Sequence, residues 1–291
     1  MAILSWLPVY QNRVNNSILR YFAKNNISSS QGLESDFILA LRHAVEGGGK
    51  RLRPILSMLA YEQISGQECS DEVLDGLIGI ELLHCYTLVH DDLPCMDNDI
   101  LRRGKPTVWK QYGETMAILV GDALQTMAFE QLATLGDIRV ITEIAHTTGD
   151  TGVVLGQVRD TLGDQGGFSL ADIMRIHDEK TGGFIASCLI IGGMISGANR
   201  EQLDVFRKFG ILLGRAFQVR DDILDHEGES ATLGKTVGKD QNQKKGLVTM
   251  FGIGETKKIL EEIGVQMDII LQDLENQKFI EIKQYVMERK S

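Results

Sequence analysis

Residues 70–99 read SDEVLDGLIGIELLHCYTLVHDDLPCMDND. The run 73–89 is densely apolar and has the length of a helix, not of a strand. Ser70 precedes an acidic first turn, Asp71-Glu72, as an N-cap should. The apolar run ends directly in Asp91, Asp92, Asp97 and Asp99. Pro94 cannot donate a backbone hydrogen bond and breaks the helix there. A helix C-terminus already points carbonyl dipoles outward, so this is a poor place for anions. The cluster therefore costs the empty protein free energy. A solvated acidic loop would carry such residues without purpose. A calcium-binding EF-hand loop fails on spacing: counted from Asp97, its glycine and glutamate positions hold Arg102 and Val108.

Outward from this stretch the helical period persists. Leu203, Phe206, Phe209, Leu213, Phe217 and Leu224 recur at steps of three, four and seven and draw one apolar stripe. Ser169 stands three before Asp172, and Asn199 three before Gln202, both as helix starts. No stretch sustains period-two alternation, and two of the four prolines, Pro94 and Pro106, bracket one loop. No linker, charge block or repeat divides the chain. The expectation is an all-α bundle of about ten helices in a single domain over 1–291.

The 291 residues are 43% hydrophobic, enough for a substantial interior, and carry 30 basic against 40 acidic residues, a net charge of −10. This balance argues against a nucleic-acid binder. It suits an anionic ligand only if a cation mediates. Cys69, Cys85, Cys95 and Cys188 lack CxxC spacing and read as reduced thiols. The first ten residues lack the pattern of a signal peptide, so the expected location is cytoplasmic. Residues 181–199 hold no charge and approach spanning length, but five glycines and no aromatic belt favour a helix buried all round, with no membrane span.

A second acidic cluster, FQVRDDILD at 217–225, sets Asp221 and Asp225 on one helix face, one turn beyond Phe217 and its apolar stripe. Like charges at that spacing repel, and on an inward face they are costly without a metal. All-oxygen ligands suit a hard divalent cation, and magnesium commonly bridges carboxylates to phosphates. Basic residues gather separately: Lys50, Arg51 and Arg53 after three glycines, Arg102, Arg103 and Lys105 after the first acidic cluster, Lys180, and Lys235, Lys239, Lys244 and Lys245 after the second. Any one of these is ordinary surface. Two aspartate clusters, each followed by cations, suit two diphosphates, one held through metal and one held directly.

The motifs GGGKRLRP at 47–54, DDLPCMD at 91–97, LRRGKPT at 101–107, GDAL at 121–124, GQVRD at 156–160, KTGG at 180–183, FQVRDDILD at 217–225 and GKTVGKD at 234–240 together resemble the trans-isoprenyl diphosphate synthase family, in its bacterial farnesyl diphosphate branch. The resemblance covers nearly the whole chain. It implies a helical bundle around a central cleft, a homodimer, and magnesium-assisted joining of isopentenyl diphosphate to an allylic diphosphate. It implies that Asp91, Asp97 and Asp221 ligate magnesium, supported by Asp92 and Asp225. Arg102, Lys180, Lys235 and Lys245 would hold the allylic diphosphate. Lys50, Arg53, His84 and Arg103 would hold isopentenyl diphosphate; alone, His84 reads as a core histidine. Thr181 and Gln218 would set oxygen dipoles near the developing cation, and Gln157 and Asp160 would line the cleft. Two departures from the family pattern occur: Lys245-Gly246-Leu247-Val248 lacks the usual aromatic, and Leu155-Gly156 stands where paired glycines are common.

Product length turns on the residues before Asp91. Tyr86 lies five positions upstream, about 7.5 Å along a helix, while Thr87 is nearer the azimuth of Asp91. Spacing leaves both open as the floor of a chain pocket; the resemblance favours Tyr86 and a farnesyl product, with geranylgeranyl as the alternative. A terpene cyclase would not need Lys50 and Arg53, and a non-catalytic synthase subunit is expected to have lost aspartates.

Overall fold

A computed structural model describes residues 4–24, 32–163, 168–232 and 246–289, with 229–232 as backbone only. The described residues form fourteen α-helices: α1 Leu7–Lys24, α2 Leu33–Glu46, α3 Leu52–Ser65, α4 Asp71–Asp91, α5 Val108–Tyr112, α6 Glu114–Ala133, α7 Ile138–Thr148, α8 Val153–Leu162, α9 Leu170–His177, α10 Gly183–Ile195, α11 Arg200–Thr232, α12 Leu247–Phe251, α13 Ile253–Leu274 and α14 Gln277–Glu288. A π-helical turn, Asp178–Gly182, joins α9 to α10 without a break. The strands are β1 Leu101–Arg102 and β2 Lys105–Pro106, a two-residue hairpin. The chain divides into two compact units, one built on Ser5–Thr142 with Met194–Gly197, the other on Glu143–Gly193 and Ala198–Ser291.

In the first unit α4 is the core element. Ser70 caps it, accepting from the Val73 amide, as its sequence requires. Leu74, Leu77, Ile78, Ile80, Leu82 and Leu83 are all fully buried. Glycines let it approach α6 closely: a Cβ at Gly79 would stand 2.6 Å from the Ala128 carbonyl oxygen. Glu81 is buried on the same helix and meets the Arg51 guanidinium at 2.7 Å. Arg51 also donates to the Val45 carbonyl and to Asn15 Oδ1. It holds a left-handed backbone, φ 52°, at the start of α3. Of the cations after the three glycines, Arg51 thus serves the scaffold. By length and hydropathy α4 is the one helix among the described residues apolar enough to cross a membrane; much of it is interior to this unit.

In the second unit α11 packs on α13 and α14 around Phe206, Phe209 and Phe279, with Phe209 edge-on to Phe279 at 5.6 Å. Gly210 and Gly214 admit neighbouring backbone: a Cβ at Gly210 would lie 2.4 Å from Ala186 Cα, and one at Gly214 2.5 Å from Gly182 Cα. The uncharged stretch 181–199 runs from the end of the π turn through α10, which is buried from Phe184 to Gly193, as expected of an interior helix. Ser169 and Asp172 form a reciprocal capping box, and Asn199 and Gln202 exchange the same pair of bonds.

The α11 stripe differs from its expected course. Phe206, Phe209 and Leu213 are buried, but the face then runs through Ala216, Val219 and Ile223. Phe217 and Leu224 lie at its margin. A straight helix advances 100° per residue, so a pattern of threes and fours drifts off a fixed face over six turns.

Gly79→Val should separate α4 from α6, because the obstacle is backbone and cannot rotate away. We expect a loss of about 1–3 kcal/mol or more in urea unfolding. Gly254→Ala, exposed in the first turn of α13 with open space at its Cβ, should be neutral or slightly stabilising in the same assay.

Candidate active site

The first acidic cluster folds back on itself. The Asp97 amide donates to the Asp91 carbonyl at 2.9 Å and the Asn98 amide to Leu93 at 3.0 Å. The β1–β2 hairpin then turns through Arg103, φ 54°, and Gly104, φ 75°, a left-handed pair that suits a two-residue turn. The turn returns Arg102 to the aspartates. Its Nε donates to Asp92 Oδ1 at 2.7 Å and its Nη2 to Asp99 at 3.1 Å. Asp92 is buried, and burial raises its carboxyl against the pull of Arg102. Asp97 is exposed and Asp91 half-buried. Arg102, expected to meet a phosphate, is thus held by carboxylates in this state.

Beside this cluster, in the same unit, cations collect around His84. Arg53 Nη1 donates to His84 Nε2 at 3.1 Å. Burial, then Arg53, Arg103, Arg102 and Arg51 in that order, hold the imidazole well below its ordinary value, so it is neutral at neutral pH. Arg103 lies over Gly49, where a Cβ would meet its guanidinium at 2.5 Å, and it donates to the Gly48 carbonyl. Gly48 and Gly49 have φ of 91° and 128°, open to glycine alone. Lys50 is half-buried, its carbonyl accepting from Gln11 at 3.0 Å. The structure therefore gathers His84, Arg53 and Arg103, three of the four residues expected at the isopentenyl site.

Tyr86 stands edge-on to His90, ring centroids 5.1 Å apart. The His90 ring fills the space over Gly121 of α6, where a Cβ would lie 2.0 Å from Nε2. It also bonds the Ile118 carbonyl at 3.1 Å. Burial, with Asp91 and Asp122, raises the Tyr86 phenol. Thr87 turns its hydroxyl onto its own helix, donating to the His84 carbonyl at 2.8 Å. Nothing in the sequence marks His90 as the ring packed against Tyr86.

In the second unit the π turn carries Lys180 and Thr181. Backbones close on it from two sides: a Cβ at Gly156 of α8 would stand 2.6 Å from the Lys180 amide, and Gly214 of α11 abuts Gly182. Ion pairs pin three successive residues. Asp178 takes both arms of Arg215 at 2.6 Å, Glu179 takes Arg159 and Arg175 at 2.9 Å, and Lys180 meets Asp160 at 2.6 Å. Thr181 is buried and Gln218 half-buried. Buried His177 precedes the turn, its imidazole pushed down to about 4 by burial. π turns recur at functional sites, but nothing in this sequence marks one.

The second acidic cluster differs from expectation in which carboxylate is shielded. Asp221 is 40% exposed and Asp225 is on the surface. The shielded one is Asp222, which accepts from the Leu247 amide at 2.9 Å. Burial first, then Asp225, Asp221 and Asp160, push its carboxyl up to about 6. Asp221 is bonded by the guanidinium of Arg289, a residue with no sequence signal. Lys235 and Lys245 lie outside the described residues. No three His, Cys, Asp or Glu side chains converge as a finished metal cage among the described residues. The grouping still fits magnesium. The donors are all carboxylate oxygens, four of them repel at Asp222, and magnesium takes one or two carboxylates and completes its shell from phosphates and water.

Because the folded-state value of Asp222 is raised, the folded protein binds the proton more tightly than the unfolded chain. Stability from this group is present at low pH and is lost as pH rises from about 4 to about 6. In chelator, Asp222→Asn should therefore raise stability at pH 7.5, by up to about 3 kcal/mol, and leave it unchanged at pH 4. Thermal unfolding at the two pH values checks this.

The chain matches the family described as polyprenyl synthetase over residues 36–282. It is 42% identical to the farnesyl diphosphate synthase of Geobacillus stearothermophilus over 214 residues, covering 71% of each chain. It is 40% identical to geranylgeranyl pyrophosphate synthase 4 of Arabidopsis thaliana over 77% of its own length, and spans only 62% of that relative. Among solved structures, an FPP/GFPP synthase from Zymomonas mobilis superposes with a TM-score of 0.79 at 29% identity, covering 98% of this chain and 99% of that one. Its motifs, its helical architecture and a family match across most of its length agree, and the chain belongs to the polyprenyl synthetase family.

Proposed function

We propose that the protein is a magnesium-dependent prenyltransferase that joins isopentenyl diphosphate to dimethylallyl and then geranyl diphosphate, releasing farnesyl diphosphate. One observation carries the reading. In a chain of net charge −10, carboxylates are grouped with carboxylates around Asp222, and guanidinium groups with guanidinium groups around His84. Each grouping costs stability unless a ligand of opposite charge arrives. Bound magnesium would supply positive charge to the leaving diphosphate and lower the barrier to ionisation. Asp91, Asp97 and Asp221 would hold it, with Asp92 and Asp225 in support.

The protein's own residues do the rest. Lys180 and Arg102 exchange their carboxylates, Asp160 and Asp92, for phosphate oxygens as the allylic substrate binds; Lys235 and Lys245 join them. Thr181 Oγ1 and the Gln218 amide oxygen orient negative dipoles toward the developing allylic cation. Lys50, Arg53 and Arg103 fix the isopentenyl diphosphate by charge, and neutral His84 accepts from Arg53 and orients it. The isopentenyl double bond attacks the cation, a carbon–carbon bond forms, and the released diphosphate takes the proton. The arginine group around His84 speaks against a terpene cyclase, and intact aspartates against a non-catalytic subunit. A cytosolic location is supported by free thiols at all four cysteines, and a homodimer by family resemblance.

Similarity to plant geranylgeranyl synthases sustains a second reading, a twenty-carbon product. Tyr86, backed by His90, favours fifteen. Mass spectrometry of products from isopentenyl and dimethylallyl diphosphates decides between them. Farnesyl diphosphate should dominate with magnesium and disappear in excess EDTA; undiminished turnover in EDTA would refute the metal role. Tyr86→Ala should open the floor and yield products of twenty carbons or more. A folded, active Tyr86→Ala that still stops at the parent's product removes Tyr86 as the limit.

A further inference from the structure

Arg289 follows α14 and is almost fully buried, its side chain 5% exposed. Its guanidinium carbon lies 3.8 Å from the centroid of the Phe217 ring, a stacked cation–π contact. Its Nη2 donates to the Phe217 carbonyl at 2.9 Å and to the Asp221 carboxylate. Its own carbonyl accepts from Arg220 at 2.9 Å. The Nε atom is buried without a hydrogen-bond partner among the described residues. A guanidinium with one donor unsatisfied is not placed for packing alone. Three contacts draw it to one turn of α11, and its charge falls on one member of the repelling set that surrounds Asp222.

We infer that Arg289 is a resident counter-ion of the second aspartate motif. It neutralises Asp221 while no metal is bound and must leave that carboxylate before a divalent cation can use it. Arg289 is thus a positioning residue that sets the magnesium requirement. The inference rests on the reading of Asp221 as a metal ligand. Guanidinium and metal compete for the same oxygens, so the protein fraction open to metal is the fraction with Arg289 displaced, and apparent affinity falls in proportion. Phe217 biases that equilibrium by offering the guanidinium a face to stack on, while the unsatisfied Nε keeps the docked state from being too stable to release.

The test is a titration of the full chain with magnesium chloride in the presence of inorganic diphosphate, read by calorimetry and by thermal shift. Arg289→Gln should lower the half-saturating magnesium concentration by about three- to tenfold, and should lower the melting temperature in EDTA. Arg289→Lys, which keeps the charge, should stay within about twofold of the parent. Phe217→Leu removes the stacking face, keeps both charges, and should shift the titration in the same direction as Arg289→Gln; it stands in if that variant does not fold. Asp221→Asn should raise the magnesium requirement. If Asp221→Asn leaves it unchanged, Asp221 is not a ligand and the counter-ion role falls with that reading. If Asp221→Asn responds but Arg289→Gln and Phe217→Leu need as much magnesium as the parent or more, the counter-ion role alone is overturned.

Discussion

Contact of helix backbone with helix backbone, where glycine removes the side chain between them, is the constraint on which the second unit depends. Gly156 on α8 and Gly214 on α11 close on the π turn until no Cβ would fit. That approach fixes the backbone of Lys180 and Thr181, while the Lys180 side chain is held separately by Asp160 at 2.6 Å. The same device in the first unit brings α4 to α6 at Gly79 and seats His90 over Gly121. Like charges grouped on these helices cannot also supply the adhesion, so the adhesion comes from close-packed main chain and from the apolar core behind it.

Charge is handled by substitution. Arg102 on Asp92, Lys180 on Asp160 and Arg289 on Asp221 give several of the carboxylates a cation from within the chain. Arg51 on Glu81 is of a different kind, a fully buried pair with a left-handed backbone that anchors a loop. Exposure separates the two classes. A pair sealed from water on both sides, as Arg51 and Glu81 are, stays formed, because either partner alone would be stranded, whereas each of the other three pairs keeps at least one partner in contact with solvent and can change partners.

Much of this was legible in the sequence. Helix starts at Ser70, Ser169 and Asn199 follow from side chains that can reach only nearby amides, and all three form. The burial of α10 follows from its lack of charge. The aspartate and arginine groups were legible as clusters, because residues within a few positions stay neighbours. What was hidden depends on distant chain. How far the buried face of α11 drifts is read only where α13 and α14 pack against it. Asp222 is the shielded carboxylate of its cluster, and its hydrogen-bond donor, the Leu247 amide, comes from 25 positions along the chain. Arg289 reaches Asp221 across 68 positions. The residues of the π turn, Asp178 to Gly182, carry no local pattern that marks it, and the backbones that close on it come from α8 and α11.

The π turn has a consequence for chain length. From Leu170 to Ile195 the helix is continuous through α9, the turn and α10, so this segment is one rod wound with a residue more than α-geometry needs. Removing one residue within the turn would let the winding become regular while α10 keeps its face, whereas removing one from the α-helical part on either side would swing every downstream side chain by about 100° relative to those upstream. The turn is therefore the one place where this rod tolerates a change of length by one, and its cost would fall on the residues of the turn itself, Lys180 and Thr181 among them.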